Sequence, residues 1–141
     1  MQMTLPSFTS AEAAEMAFYR AFEANDLEAM MAVWDDADDI VCIHPMGPTL
    51  NGRSAVIDSW RDILSGGVAM RFSLEMVQIY TADNFSIRLL NEHIDIASGN
   101  RVAPMAATNI FRLSAQGWHM VSHHASPNPG TQAAKNNLLL H

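Results

Sequence analysis

The stretch GGVAMRFSLEM, Gly66 to Met76, decides the architecture. From Met70 onward the apolar residues fall at every second position: Met70, Phe72, Leu74 and Met76 alternate with Arg71, Ser73 and Glu75. A period of two predicts a strand with one face turned to a core. Before Gly66 the period is that of a helix. Val56, Ile57, Trp60, Ile63 and Leu64 line one side of a helix predicted over about Arg53 to Leu64. Gly66-Gly67 ends it, as a glycine just past a helix does.

Upstream of this switch the chain reads as helical. FTSAEAAEMAFYRAFEAN offers Thr9 and Glu12 as a capping box, and Ala14, Ala17, Phe18, Ala21 and Phe22 recur at helical spacing. Asn25-Asp26 breaks that helix and caps a second, whose apolar stripe is Leu27, Met30, Met31 and Trp34. The acidic run Asp35, Asp36, Asp38, Asp39 lacks the turn glycine and ligand offsets of a hard-metal loop and reads as a solvated turn. Downstream the chain reads as strands. Phe85, Ile87 and Leu89 alternate, then the phase slips at Leu89-Leu90, which predicts a bulge and a bent sheet. Ser98-Gly99-Asn100 turns into a strand over about Arg101 to Leu113, and WHMVSHHA follows Ala115-Gln116-Gly117. Helices first and long hairpins last predict an α+β fold: a curved antiparallel sheet covered by helices on one face.

One short run stands apart. IVCIHPMG, Ile40 to Gly47, is a strand of four apolar residues ending in a histidine and a proline. His44 titrates near neutral pH and suits general acid–base work, while Pro45 stiffens the backbone that aims it. A structural role for the imidazole, as filler held by a carbonyl, is the competing reading.

The totals bound the rest. A chain of 141 residues, 49% apolar, fits one domain that buries a real core over about residues 8 to 127, with a loose tail over 128–141 whose LLLH end could dock on the body or on a partner. With a formal charge of -7 and eight scattered basic residues, no nucleic-acid or anionic-membrane surface is expected. The start MQMTLPSF lacks a signal peptide's features, and no apolar run approaches the ~20 residues of a membrane span, so a cytoplasmic protein is expected. The single cysteine, Cys42, forms no intramolecular disulfide and packs as a small hydrophobe. Ten methionines serve as core filler or as an adaptable pocket lining. No glycine-rich phosphate loop or redox pair is present, so no cofactor is expected. The histidines lack metal-ligand spacing, and no metal is expected.

The segments AFEANDLEAMMAVW, IVCIHP, LNGRSAVIDSW, TNIFRL and GWHMVSHHASP, in that order over about Ala11 to Pro127, resemble the NTF2-like superfamily and within it the SnoaL-like proteins. The resemblance implies a cone: a strongly curved antiparallel sheet and three N-terminal helices enclosing a pocket, with a homodimer formed through the open sheet face. Relatives include ketosteroid isomerase, scytalone dehydratase, limonene epoxide hydrolase and polyketide cyclases. They also include the non-catalytic nuclear transport factor and the association domain of calmodulin-dependent kinase II. One fold with so many roles leaves the activity to the site.

By that resemblance His44 occupies the place of the isomerase's aspartate base, and Asn109 the place of the acid that steadies the oxyanion. The isomerase's phenolic donor falls on Phe18, with Tyr19 one place off, which argues against a steroid isomerase. Candidate ligand contacts are Trp60 on the third helix, Arg53 as a fork for a carboxylate, Phe18, Trp34, Met46 and His124. The tryptophans fit a core as well, and a surface ion pair would equally account for Arg53. Strand parity puts His123 and His124 on opposite faces, so only one of them lines a pocket. Two functions are therefore expected in competition. One is a cofactor-independent isomerase, dehydratase or cyclase acting on a small apolar or carbonyl-containing molecule. The other is a non-catalytic ligand-binding or oligomerisation domain.

Overall fold

The computed structural model describes residues 7–99 and 102–129. Helix α1 (Ala11–Ala24) is capped by Ser10, whose side chain accepts from the Ala13 N–H, so the cap lies one residue beyond the expected Thr9. Asn25 closes α1 in the left-handed conformation, and Asp26 caps α2 (Leu27–Val33) by accepting from Ala29 N–H. Helix α3 (Arg53–Ser65) starts at Gly52, which has no side chain to offer. Asp38 supplies the missing acceptor, taking the Arg53 N–H at 3.0 Å.

The acidic run is therefore structural rather than merely solvated. Asp38 caps α3, Asp36 lies 3.6 Å from the Arg53 guanidinium, and Asp35 and Asp39 both pair with Arg112.

Six strands form one curved, unclosed sheet: β1 (Val41–Ile43), β2 (Thr49–Asn51), β3 (Met70–Thr81), β4 (Phe85–Ile96), β5 (Met105–Ser114) and β6 (Gly117–Pro127), in the order β2-β1-β6-β5-β4-β3. The pattern is antiparallel except between β1 and β6, which run parallel. β2 is a short strand that no sequence pattern marked, and the expected strand start at Arg101 lies outside the described residues. So does the end of the tail, residues 130–141.

The expected phase slip is present, but on the facing strand. Met76 pairs with Leu90 and Gln78 with Leu89, so Val77 is the extra residue and β4 keeps one parity throughout. A second irregularity skips Val121 between the pairs Ile110–Ser122 and Phe111–Met120. The inner row of β4 is consequently Ser86, Arg88, Leu90 and Glu92, all buried, whereas Phe85, Ile87 and Leu89 lie on the outer face. Phe18, Trp60, Phe111, Met30 and Trp34 fill the space between helices and sheet.

Candidate functional site

His44 follows β1 and is half-buried against α3. Its Nε2 lies 2.9 Å from Ser59 Oγ, and that hydroxyl already donates to Val56 carbonyl at 2.6 Å. Ser59 therefore accepts, His44 Nε2 carries the proton, and Nδ1 keeps the lone pair. Burial lowers the pKa of His44 below the ordinary value, so the ring is neutral at pH 7. Trp60 stands edge-on to it, with ring centroids 4.8 Å apart. Cys42, inward-facing on β1, lies 3.7 Å from His44 Nε2, and burial pushes its thiol up to about 12, so it is an inert packing group.

The aromatic wall continues inward. Trp60 meets Phe18 at 5.4 Å and Phe22 at 4.9 Å, and Phe18 meets His123 at 4.8 Å. Beyond it lies a buried polar network. Arg88 Nε donates to Glu15 Oε1 at 2.8 Å. Asn109 Nδ2 donates to Glu15 Oε2 at 3.0 Å and to the Tyr19 hydroxyl at 3.1 Å. Tyr19 in turn bonds Glu92 at 2.5 Å, and Asn109 Oδ1 lies 2.6 Å from His123 Nδ1. Burial raises Glu92 to about 7, lowers His123 to about 3 and holds Tyr19 well above its usual range.

The placement of the expected site residues divides them. His44, Trp60 and Phe18 share the aromatic wall. Asn109 is fully buried and both its N–H bonds are spent inside the network, so it has none to offer an oxyanion. Trp34 is a core residue at the end of α2. Arg53 does not face a ligand carboxylate: its guanidinium donates to the carbonyls of Asp35, Trp34 and Met31, capping the end of α2. Met46 is 92% exposed, with a φ of 63°. His124 is exposed on the outer face, and the inward histidine of the pair is His123.

Sequence reasoning passed over Glu15, Arg88 and Glu92. Their signal was a charge on a buried row: Glu15 lies one turn from Ala11 and Phe18 on the apolar face of α1, and Arg88 and Glu92 flank Leu90 on the inner parity of β4.

Fold and interior together define a SnoaL-like domain. The SnoaL-like family matches residues 11–129, and the chain belongs to that family, within the NTF2-like superfamily. A solved structure from Thiobacillus denitrificans, provisionally assigned as a calcium/calmodulin-dependent protein kinase type II association domain, is 42% identical, with TM-score 0.83, covering 87% of this chain and 98% of that one. A provisionally assigned dehydratase of the NTF2-like family from Streptomyces avermitilis is 32% identical, with TM-score 0.75, covering 83% of this chain and 92% of that one. Among curated proteins, the F-box protein SKIP8 of Arabidopsis thaliana is 27% identical over 109 residues, 77% of this chain. The chain spans 46% of that relative's length.

Proposed function

We propose that the protein binds a small, largely apolar organic molecule against His44 and Trp60, and that His44 acts as a general base in a cofactor-independent elimination, isomerisation or cyclisation. The observation that carries this is the tautomer of His44. Ser59 holds the Nε2 proton, which leaves the Nδ1 lone pair on a neutral ring beside an aromatic wall, with only the weak thiol donor of Cys42 near it at 4.0 Å. A base poised in that state removes a proton without first losing its own. The likeness to a provisionally assigned dehydratase agrees with this class of reaction. The test is turnover of an activated hydroxy-ketone or epoxide by His44→Ala. Loss of turnover with an unchanged melting temperature supports the base. Equal turnover sinks it, and a collapse in melting temperature assigns the ring to the core.

A second reading, a homo-oligomeric association module, is favoured by a different observation. On the outer sheet face Tyr80 pairs with Ile87, and Ile87 with Ile110, forming an apolar cross-strand ladder. Tyr80 and the neighbouring Phe85 are exposed. A homodimer through this open face would bury the ladder. The two readings are compatible, since one uses the inside of the cone and the other the outside.

A further inference from the structure

A cleft of about 250 Å³ opens where α1 begins, with walls that include the first turn of α1, Ile79, Ser86, Arg88 and Trp118. It stands apart from His44. β1, which leads to His44, pairs with β6 at Ser122, His123 and His124, whereas this cleft lies where β6 starts. Ile79 pairs with Arg88 across the strands and shares its face, yet is 42% exposed, because the cleft leaves it uncovered.

The buried side of the cleft carries donors without acceptors. Glu15 takes the Arg88 Nε–H at 2.8 Å and holds the guanidinium by that one atom. Neither Nη group has a partner among the described residues, and neither has the Ser86 hydroxyl. Arg88 and Ser86 are only 8% and 3% exposed. The sealed side-chain nitrogens and oxygens without a partner are the indole nitrogens of Trp34 and Trp60, and neither tryptophan lines this cleft. The Nη groups and the hydroxyl are therefore unpartnered but not sealed, and the cleft is the space both residues line. Helix α1 adds to them. Ser10 takes the Ala13 N–H with its side chain and the Ala14 N–H with its carbonyl. The Ala11 and Glu12 N–H groups precede the first intrahelical bond, and both residues line the cleft.

Buried donors left unmatched cost free energy, so the site calls for an acceptor. The charges decide which kind. Arg88 already pairs with Glu15, the exposed Glu12 carboxylate stands on the cleft wall, and the chain carries a formal charge of -7. An anion would meet like charge from Glu12 and Glu15, whereas a neutral oxygen accepts the same hydrogen bonds without that repulsion. Ile79 and the half-buried Trp118 ring supply apolar surface beside the donors.

We propose that this cleft is a second binding site, which takes the carbonyl oxygen of a neutral molecule on the Arg88 fork and the Ser86 hydroxyl and packs its apolar body on Ile79 and Trp118. Glu15 is the positioning residue: by holding Nε it leaves both Nη groups to the ligand.

The test uses the 15N-labelled full chain and three probes: acetophenone, its carbon isostere α-methylstyrene, and benzoate. Acetophenone should shift the Arg88 Nε–H resonance and the Ala11 and Glu12 amides, and should bind roughly tenfold or more tightly than either comparison probe. Arg88→Lys keeps a cation opposite Glu15 but removes the fork, and Ser86→Ala removes the hydroxyl at little risk to the fold. Each should weaken acetophenone binding while the melting temperature of Ser86→Ala stays within a few degrees. The proposal is overturned if acetophenone leaves these resonances in place or moves only those around His44. It is equally overturned if α-methylstyrene binds as well, if benzoate binds better, or if folded Ser86→Ala keeps full affinity. None of these readouts depends on turnover at His44, so the two sites fail separately.

Discussion

The Tyr19 hydroxyl stands 2.5 Å from Glu92 Oε2, tying α1 to β4 across the inside of the cone. Both groups are buried, and among the described residues Glu92 has only this one hydrogen bond to a side chain to offset the loss of water around a carboxylate. Desolvation wins over that bond, which by itself would lower the pKa, and the carboxyl rises from 4.5 to about 7.

The pH dependence of stability follows. The folded state holds the Glu92 proton that the unfolded chain releases near pH 4.5, so this group's contribution is full below that pH and is lost as pH rises through about 7. At ~1.4 kcal/mol per unit the loss is roughly 3 kcal/mol. His123, lowered from 6.5 to about 3, acts in the opposite sense: its contribution is present above pH 6.5 and is lost as pH falls through 3. Between pH 4.5 and 6.5 the two slopes oppose one another. Urea unfolding should show Glu92→Gln gaining on the natural protein by up to roughly 3 kcal/mol from pH 5 to pH 8. Parallel curves for the two proteins would refute the buried acid.

The Glu15–Arg88 pair is nearly sealed, with side chains 4% and 10% exposed. Removing one partner strands the other as a buried charge, at a cost of about 3–5 kcal/mol. Arg88→Met and Glu15→Leu should each destabilise by that amount, and the double variant by less than their sum. Additive losses in denaturant titrations would show that the pair is not coupled.

Arg53 joins the start of α3 to the end of α2 through three carbonyls. Arg53→Ala should cost about 1–3 kcal/mol through the orphaned acceptors. Arg53→Lys should recover little, because a point ammonium cannot span them as the planar fork does. Turnover per folded molecule should not change. A selective loss of ligand affinity, with the melting temperature intact, would restore Arg53 to the site.

If His44 is the base, its lowered pKa carries a sign. Protonation abolishes the reactive lone pair, so the rate should hold on the alkaline side and fall with acid, with its midpoint below the ordinary histidine value of 6.5. An acid limb at or above that value, measured on kcat/KM, would assign the titration to another group.

The ladder Tyr80–Ile87–Ile110 gives the outer face its own test. Ile87→Lys places a charge at its centre and should convert a dimer to monomer in sedimentation velocity without unfolding it. An unchanged sedimentation coefficient, with the natural protein dimeric, would move the interface elsewhere.

The helices, their order and the switch to strands at Gly66-Gly67 were legible because each rests on local periodicity and local caps. Asp26 and Asn25 do in the structure what their residue types permit. The strand faces were less legible. β4 carries apolar residues on both parities, so Phe85, Ile87 and Leu89 read as core although they face outward. The extra residue that sets the phase, Val77, belongs to the neighbouring strand. The parallel pairing of β1 with β6 joins segments that no local pattern connects.

Composition, period and residue order thus sufficed for the class of fold, because hydrophobic burial acts on every turn and every pleat of the chain. The polar interior belongs to the folded state alone. Glu15 and Arg88 stand 73 positions apart, and Glu15 and Asn109 94 apart, and their charges and donors acquire roles only when α1 is laid across β4 and β5. Hydrogen bonds are short and directional. Why Asn109 has nothing to spare depends on distances of about 3 Å that sequence spacing does not encode.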